Sequence, residues 1–246
     1  MAIADSDRFG AALRGSFAQA LARLRRRLAP RCVVCDLEDG EPLCAGCAHD
    51  YFAADAPRCV SCALRLTVPQ SESRCGNCLR APPRFDGTVV LADYAPPVDR
   101  MIAALKFGGR LPLAGAFGCL LARAASHVLQ ETDALCPVPL AFERQAERGF
   151  NQSQEIARRV AADSGRPLRT DILLRTRHTA AQMDLALRER RSNVRGAFVA
   201  RGDLAGMRLA VVDDVMTTGA TLDEVAAALK AAGAARVTNL VVARTP

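Results

Sequence analysis

Two sets of residues in this chain have the types and spacing that chemistry requires. The first is a row of four Cys-x-x-Cys pairs: Cys32/Cys35, Cys44/Cys47, Cys59/Cys62 and Cys75/Cys78. A CxxC turn delivers two thiolates to one point, and two such turns complete the tetrahedron of soft ligands that zinc prefers. Eight cysteines therefore predict two structural zinc sites. Pairing neighbours in sequence, 32/35 with 44/47 and 59/62 with 75/78, makes two consecutive zinc ribbons; a crossed pairing also satisfies the spacing. Four-thiolate sites leave no open coordination position, so their expected role is folding and surface presentation. Disulfides and redox-active dithiols are the competing readings. A glycine often follows the second cysteine of such a turn, whereas here Asp36 and Ala63 do. His49 reads as a surface residue because the thiolate count is already complete. Cys119 and Cys136 read as small buried side chains.

The second set is Val211-Val212-Asp213-Asp214-Val215-Met216-Thr217-Thr218-Gly219-Ala220-Thr221. An apolar strand ends in two carboxylates, and a short hydroxyl-bearing loop then opens a helix. Such a loop offers backbone N–H groups, threonine hydroxyls and the positive end of a helix dipole, all suited to a phosphate. Gly219 permits close backbone approach. Asp213 and Asp214 stand too far before the helix to cap it. They stand at the carboxyl end of a strand, where open α/β sheets bind ligands, and are placed to accept hydrogen bonds from sugar hydroxyls. The loop is not a Walker A motif, because no Gly-Lys-Ser/Thr follows.

The elements that must position these residues follow from hydropathy. Residues 31–84 have few positions that could build a core, so this segment needs a metal staple. Pro82-Pro83 closes it. From Phe85 onward strands and helices alternate. Thr88–Leu91 reads as a strand, Val98–Phe107 as a helix, and Leu113–Leu129 as a second helix. Ala134–Cys136 is a short strand, and Asn151–Val160 a helix with Asn151 and Gln154 spaced as a capping box. Arg208–Val212 is apolar enough to be buried on both faces of a parallel sheet. A helix over Ala220–Ala232 ends at Gly233, and Val237–Val242 is a last strand. Strand, helix and strand in this order predict a right-handed crossover in an α/β sheet. Before all of this, Phe9, Leu13, Phe17, Leu21, Leu24 and Leu28 mark an amphipathic helix over residues 1–30, with arginines beside its apolar stripe. Packing on the body is the preferred reading of that helix, with a nucleic-acid or membrane-surface role as its alternative.

Bulk composition limits the partners. The 246 residues are half apolar and carry a net charge of +7, which favours polyanions such as phosphates or nucleic acid. No apolar run is long enough to span a bilayer. The first residues lack a signal-peptide pattern, so a cytoplasmic location is expected. With two tyrosines and no tryptophan, stacking platforms for single strands are not evident.

The Asp213–Thr221 segment resembles the 5-phosphoribosyl-1-pyrophosphate (PRPP) motif of type I phosphoribosyltransferases, with no gap or substitution at its defining positions. Further stretches resemble the ComF family: Leu105-Lys106-Phe107, Pro137-Val138-Pro139-Leu140, Arg148-Gly149-Phe150-Asn151-Gln152, Gln182, and Arg190-Arg191-Ser192-Asn193. With the two zinc ribbons in front, the likeness covers residues 31 to 246. It implies a phosphoribosyltransferase-like parallel sheet flanked by helices over 85–246, a double zinc ribbon over 31–84, and the helix over 1–30. It also implies that Asp213 and Asp214 hold the ribose 2′- and 3′-hydroxyls, while Thr217, Thr218, Gly219, Ala220 and Thr221 cradle the 5′-phosphate. Mg²⁺ would bridge pyrophosphate and sugar oxygens.

Pro137 and Val138 fall where pyrophosphate sits in that fold, although a merely rigid turn fits the prolines equally. Arg144 and Arg148 are candidates to neutralise pyrophosphate, with Lys106 a weaker one. The basic stretch from Arg175 to Arg195, with Arg190 and Arg191, admits three readings: a loop closing over PRPP, a DNA contact, or a solvated face. ComF-like proteins are associated with natural competence and the use of imported DNA. The resemblance thus implies PRPP, and with it single-stranded DNA and competence-machinery proteins, as partners. An active transferase, passing the phosphoribosyl group to an unidentified base, is the alternative. The element that usually builds an acceptor pocket is replaced here by the cysteine module.

Overall fold

Four apolar runs of the chain pair side by side as one parallel sheet. The computed structural model describes residues 31–38, 40–52, 56–67, 74–176 and 194–246. The helix expected over 1–30 lies outside the described residues, as does the 177–193 segment with Gln182, Arg190 and Arg191. The chain divides into two compact units, Met1–Cys47 and Ala48–Pro246.

In chain order the elements are α1 (Ala45–Phe52), α2 (Gly76–Arg80), β1 (Gly87–Asp93), α3 (Val98–Gly108), α4 (Pro112–Ala124), α5 (Ser126–Gln130) and β2 (Ala134–Pro137). Then follow α6 (Phe142–Arg148), α7 (Gln152–Ser164), β3 (Leu173–Arg175), β4 (Phe198–Ala200), β5 (Arg208–Met216), α8 (Ala220–Ala231) and β6 (Arg236–Arg244). The main sheet has the order β1-β6-β5-β2, and every neighbouring pair is parallel. β2, β5 and β6 are buried almost throughout, as continuous aliphatic runs between helical layers require, and β1 is buried over Val90–Ala92. β3 and β4 form a separate antiparallel pair flanking the 177–193 segment.

The α/β sheet expected from sequence is present, with differences in detail. β5 continues past Val212 to Met216, because Asp213 and Val215 keep their places in the ladder opposite Val241 and Ala243 of β6. The single helix expected over Leu113–Leu129 is two, α4 and α5, separated at Ala125. Where α4 meets α7 no side chain fits. A Cβ on Gly118 would stand 2.5 Å from Arg159 Cβ and 2.8 Å from the Ile156 carbonyl oxygen. Phe117, Leu121, Ile156 and Val160 are fully buried around that approach. It fixes α7, and with it the residues that α7 carries to the end of the sheet.

Candidate functional site

β5 delivers two carboxylates to the carboxyl end of the sheet, and residues 217–219 then turn the chain into α8. The turn depends on Gly219, whose φ of 81° lies in the left-handed region. A Cβ there would also fall 2.6 Å from Met216 Cε. The Thr218 hydroxyl accepts from the Ala220 amide at 3.3 Å, drawing the loop onto the helix start. Thr217, Thr218, Gly219, Ala220 and Thr221 all line a cleft of about 550 Å³, together with Asp213 and Asp214. The positive end of the α8 dipole stands at the same cleft.

The two carboxylates are buried, and their surroundings hold them apart chemically. Asp213 Oδ1 accepts from Ser153 Oγ and from the Asp214 amide, each at 2.9 Å. Burial, then the neighbouring Asp214 charge, push the Asp213 pKa up to about 7 against the pull of those donors. Asp214 Oδ2 instead meets the Lys106 ammonium at 2.7 Å, and its Oδ1 accepts from the Val215 amide at 2.8 Å. Two adjacent buried acids facing one ammonium make a donor set with room for a divalent cation and sugar hydroxyls.

The opposite wall comes from the segment after β2. Val138, Pro139 and Leu140 line the cleft, while Pro137 is buried inside β2. Asn151 ties this wall to α7. Its Nδ2 donates to the Val138 carbonyl at 3.0 Å, and its Oδ1 caps α7 by accepting from the Ser153 and Gln154 amides at 3.0 and 3.4 Å. Arg144, Arg148 and Arg175 complete the lining. The Arg148 guanidinium stands 5.3 Å from the centre of the Phe107 ring, a cation–π distance, and donates to Gln152 Oε1. Beyond it lies a second recess of about 440 Å³, where Lys106, Phe107, Arg144 and Arg148 meet Gly108, Gly109 and Phe150. Arg84, just past Pro82-Pro83, pairs with Asp223 at 2.7 Å and Glu224 at 2.5 Å near the start of α8. Glu224 also accepts from the Gly196 amide at 2.9 Å. The helix that opens at the cleft is thereby tied to the chain on either side.

The eight cysteines gather as 32/35/44/47 and 59/62/75/78, the sequential pairing, with the four sulfurs of each group within 4.8 Å of one another. A tetrahedron with metal–sulfur bonds of about 2.3 Å places its sulfurs about 3.8 Å apart. The Cys35–Cys44 and Cys62–Cys75 sulfur pairs are 3.6 Å apart, far beyond the length of a disulfide. Each group could hold a metal ion. Burial opposes the thiolate of Cys32, but the amides of Cys44, Cys35 and Val34 outweigh it and bring its pKa down to about 6. Cys59, likewise buried, is brought down to about 7 by the amides of Cys62, Cys75 and Ser61. Asp36 and Ala63, the non-glycine residues after each first turn, take left-handed φ angles of 60° and 55°. Cys136 is buried as expected, and its thiol is pushed up to about 12 by that burial, whereas Cys119, also expected inside, is half-buried.

Sequence reasoning passes over Ser153, which directly follows the Arg148–Gln152 stretch, and the bond by which Asn151 of that stretch reaches Val138. It also missed α6 and the β3–β4 pair. The Arg-Cys-Val-x-Cys-x-Leu repeat at residues 31 and 58 was the overlooked signal that both turns share one geometry.

Comparison with known proteins agrees with this geometry. The family model described as "Phosphoribosyl transferase domain" matches residues 116–246. The DNA utilization protein YhgH of Escherichia coli (strain K12) is 36% identical over 208 residues, covering 82% of this chain and 90% of that protein. Competence protein F of Haemophilus influenzae is 32% identical over 199 residues, covering 78% and 85%. This chain belongs to the ComF family of phosphoribosyl transferase domain proteins. Its ComF likeness extends to Competence protein ComFC of Bacillus subtilis, 25% identical over 220 residues, which cover 85% of this chain and 87% of that one. Among the described residues, no helix is long and apolar enough to cross a membrane.

Proposed function

We propose that this ComF-family protein binds Mg·PRPP in the cleft at the end of β5 and acts in the cytoplasmic uptake or use of DNA. The observation that carries the reading is the convergence of two buried carboxylates, a glycine-turned threonine loop and a helix start on one cleft. Asp213 and Asp214 accept the ribose hydroxyls, and residues 217–221 take the 5′-phosphate on amides and hydroxyls. Lys106, 2.7 Å from Asp214 Oδ2, positions that carboxylate until the sugar arrives. Arg144 and Arg148 face the developing charge of pyrophosphate, beside Val138 and the prolines around it. Magnesium, when bound, shares the charge of the pyrophosphate and sugar oxygens. Zinc is the metal that the two cysteine groups fit, by their sulfur spacing and softness.

The DNA role rests on what the relatives' names say of them and on the net charge of +7. Single-stranded DNA and competence-machinery proteins are the partners it supplies. Should PRPP also be turned over, a base nitrogen displaces pyrophosphate at C1, and the protein acts by positioning and charge stabilisation. The recess holding Phe107 and Arg148 is the space open to such an acceptor. Arg190 and Arg191 belong to a segment outside the described residues, for which a loop closing over PRPP, a DNA contact and a solvated face stay the three readings.

Calorimetric titration of Mg·PRPP into the zinc-loaded protein tests the reading. Binding to the wild type that disappears in Asp213→Asn/Asp214→Asn is expected. A wild type that takes up no PRPP sinks the site assignment.

A further inference from the structure

β6 ends in a buried arginine whose bonds reach both a metal-ligand turn and the phosphate loop. Arg244 Nε donates to the Cys62 carbonyl at 3.1 Å. Its Nη1 donates to the Met216 carbonyl at 3.3 Å, and to the carbonyls of Thr217 and Thr245. The bonds it makes among the described residues thus end on carbonyl oxygens, although its side chain is buried. A buried guanidinium held by neutral acceptors is costly unless negative charge lies close by. Four thiolates around a divalent cation carry a net charge of −2, and Cys62 belongs to that group. Asp93, beside Arg244 across the β1–β6 ladder, is already paired with Arg58 and Arg65; a loaded metal site would add a second source of negative charge, on the turn that Arg244 bonds.

Packing joins the same two places. Cys59, Cys62, Cys75 and Cys78 share one buried cluster with Phe85, Met216 and Leu222. The Phe85 ring lies 3.9 Å from where a Cβ of Gly219 would stand. On the other side of the turn, Arg58 donates to the Ala63 carbonyl at 3.1 Å and to Asp93 Oδ1 at 2.8 Å. Asp93 is the residue opposite Arg244 in the β1–β6 ladder. The cysteine turn is therefore bonded to the end of the sheet on both flanks.

The consequence for the loop is geometric. In a trans peptide the C=O and the following N–H point in opposite directions. With the Thr217 carbonyl turned to Arg244, the Thr218 amide points away from it, on a loop whose threonines line the cleft.

We propose that Arg244 is a positioning residue that makes the 5′-phosphate loop depend on the metal held by Cys59, Cys62, Cys75 and Cys78. Occupancy fixes the Cys62 carbonyl, Arg244 transmits that position to Met216 and Thr217, and the loop amides are set for an anion. The effect on PRPP rests on the function proposed above; the coupling of metal to loop does not.

Linkage makes the coupling reciprocal: if the metal favours PRPP, PRPP slows loss of the metal by the same factor. Two readouts on the full-length zinc protein test it. Graded chelation followed by fragment-resolved hydrogen exchange is expected to speed exchange of residues 216–220 together with residues 57–66. In Arg244→Met the two segments respond separately, and Arg244→Lys, which keeps a cationic donor, restores part of the joint response. Calorimetry is expected to show PRPP affinity falling about tenfold in Arg244→Met, within the usual range of coupling between sites, with a smaller loss in Arg244→Lys. Bound PRPP should slow zinc transfer to a chromophoric chelator in the wild type but not in Arg244→Met.

Loop exchange that ignores metal loss, in a protein that still binds PRPP, overturns the coupling and leaves the proposed function standing. Loop exchange that follows the metal, in a protein that never binds PRPP, supports the coupling and removes the function. A folded Arg244→Met that binds PRPP as tightly as the wild type also overturns the inference.

Discussion

The two cysteine groups begin with almost the same sequence, Arg-Cys-Val-Val-Cys-Asp-Leu and Arg-Cys-Val-Ser-Cys-Ala-Leu, and fold into the same turn. Cys32 N donates to the Leu37 carbonyl at 3.0 Å, and Cys59 N to that of Leu64 at 2.8 Å. The left-handed residue, Asp36 or Ala63, returns its amide to the carbonyl of the first cysteine. Their arginines then diverge. Arg31 is exposed and pairs with the nearby Asp36 and Glu38. Arg58 is largely buried and pairs with Asp93, thirty-five residues away on β1. Cys35 is exposed, whereas all four cysteines of the second group are buried. The arginine of one motif is paired locally; the other motif is built into the core that carries the cleft. A CxxC pattern marks a group that could hold a metal, and only the neighbouring side chains state what that group is joined to.

The largest expected effect breaks that contrast directly. Cys62→Ser removes a ligand inside the core, and its cost is about 3–5 kcal/mol, lowering the midpoint of thermal unfolding by about 10 °C. Cys35→Ser, the matching change at an exposed position, should lower it by less than half as much. Equal shifts in the two variants would erase the distinction between the groups.

Next comes the cleft that the second group supports. Asp213 keeps its proton in the folded protein up to about pH 7, whereas an unfolded aspartate loses it near 3.8. Between those values the folded state binds more protons, so wild-type stability falls as pH rises through that window and then levels off. Asp213→Asn keeps an acceptor for Ser153 and the Asp214 amide but carries no charge. It should match the wild type near pH 4 and exceed it by about 1–3 kcal/mol at pH 8, while losing PRPP. Thermal scans across pH check this, and a constant difference between the two proteins at every pH contradicts it.

The smallest effect sharpens the comparison of the arginines. Arg58→Met should cost about 1 kcal/mol, by removing the bond to the Ala63 carbonyl and leaving Asp93 paired with the exposed Arg65 alone. Arg31→Met should leave the unfolding midpoint where it was, because exposed ion pairs contribute little. Urea titration of both variants is sufficient.

Much of this organisation was legible in the sequence, and the exceptions have physical reasons. The eight cysteines declared four two-thiolate turns because CxxC spacing is a local property, but the choice between sequential and crossed grouping needed the structure. The phosphate loop was legible because strand, acids, threonines and glycine follow one another without interruption. β5 was read as stopping at Val212 because hydropathy alone does not anticipate two carboxylates inside a sheet; they stay because Ser153, Lys106 and backbone amides receive them. α6 was missed because none of its seven residues is buried, so no apolar period marks it. The break at Ala125 lies in a continuous apolar pattern with no glycine or proline to announce it. Arg244 gave no signal at all, since one arginine at the end of a strand is ordinary until its carbonyl partners are known.

The strand order β1-β6-β5-β2 has a consequence for how the protein is made. β6 is the last strand in the chain, yet it fills an interior place in the sheet, between the first strand and β5. Thr88 of β1 waits for Asn239, 151 residues later, before their side chains can bond. As the polypeptide leaves the ribosome, each cysteine cluster can close within a few tens of residues, a loop of small entropic cost. The sheet cannot close until its final strand is free of the exit tunnel, and such long-range pairing is intrinsically slow. From the emergence of β1 until the last strand is free, the nascent chain therefore exposes an unpaired edge of β1 beside cysteine turns that are already complete.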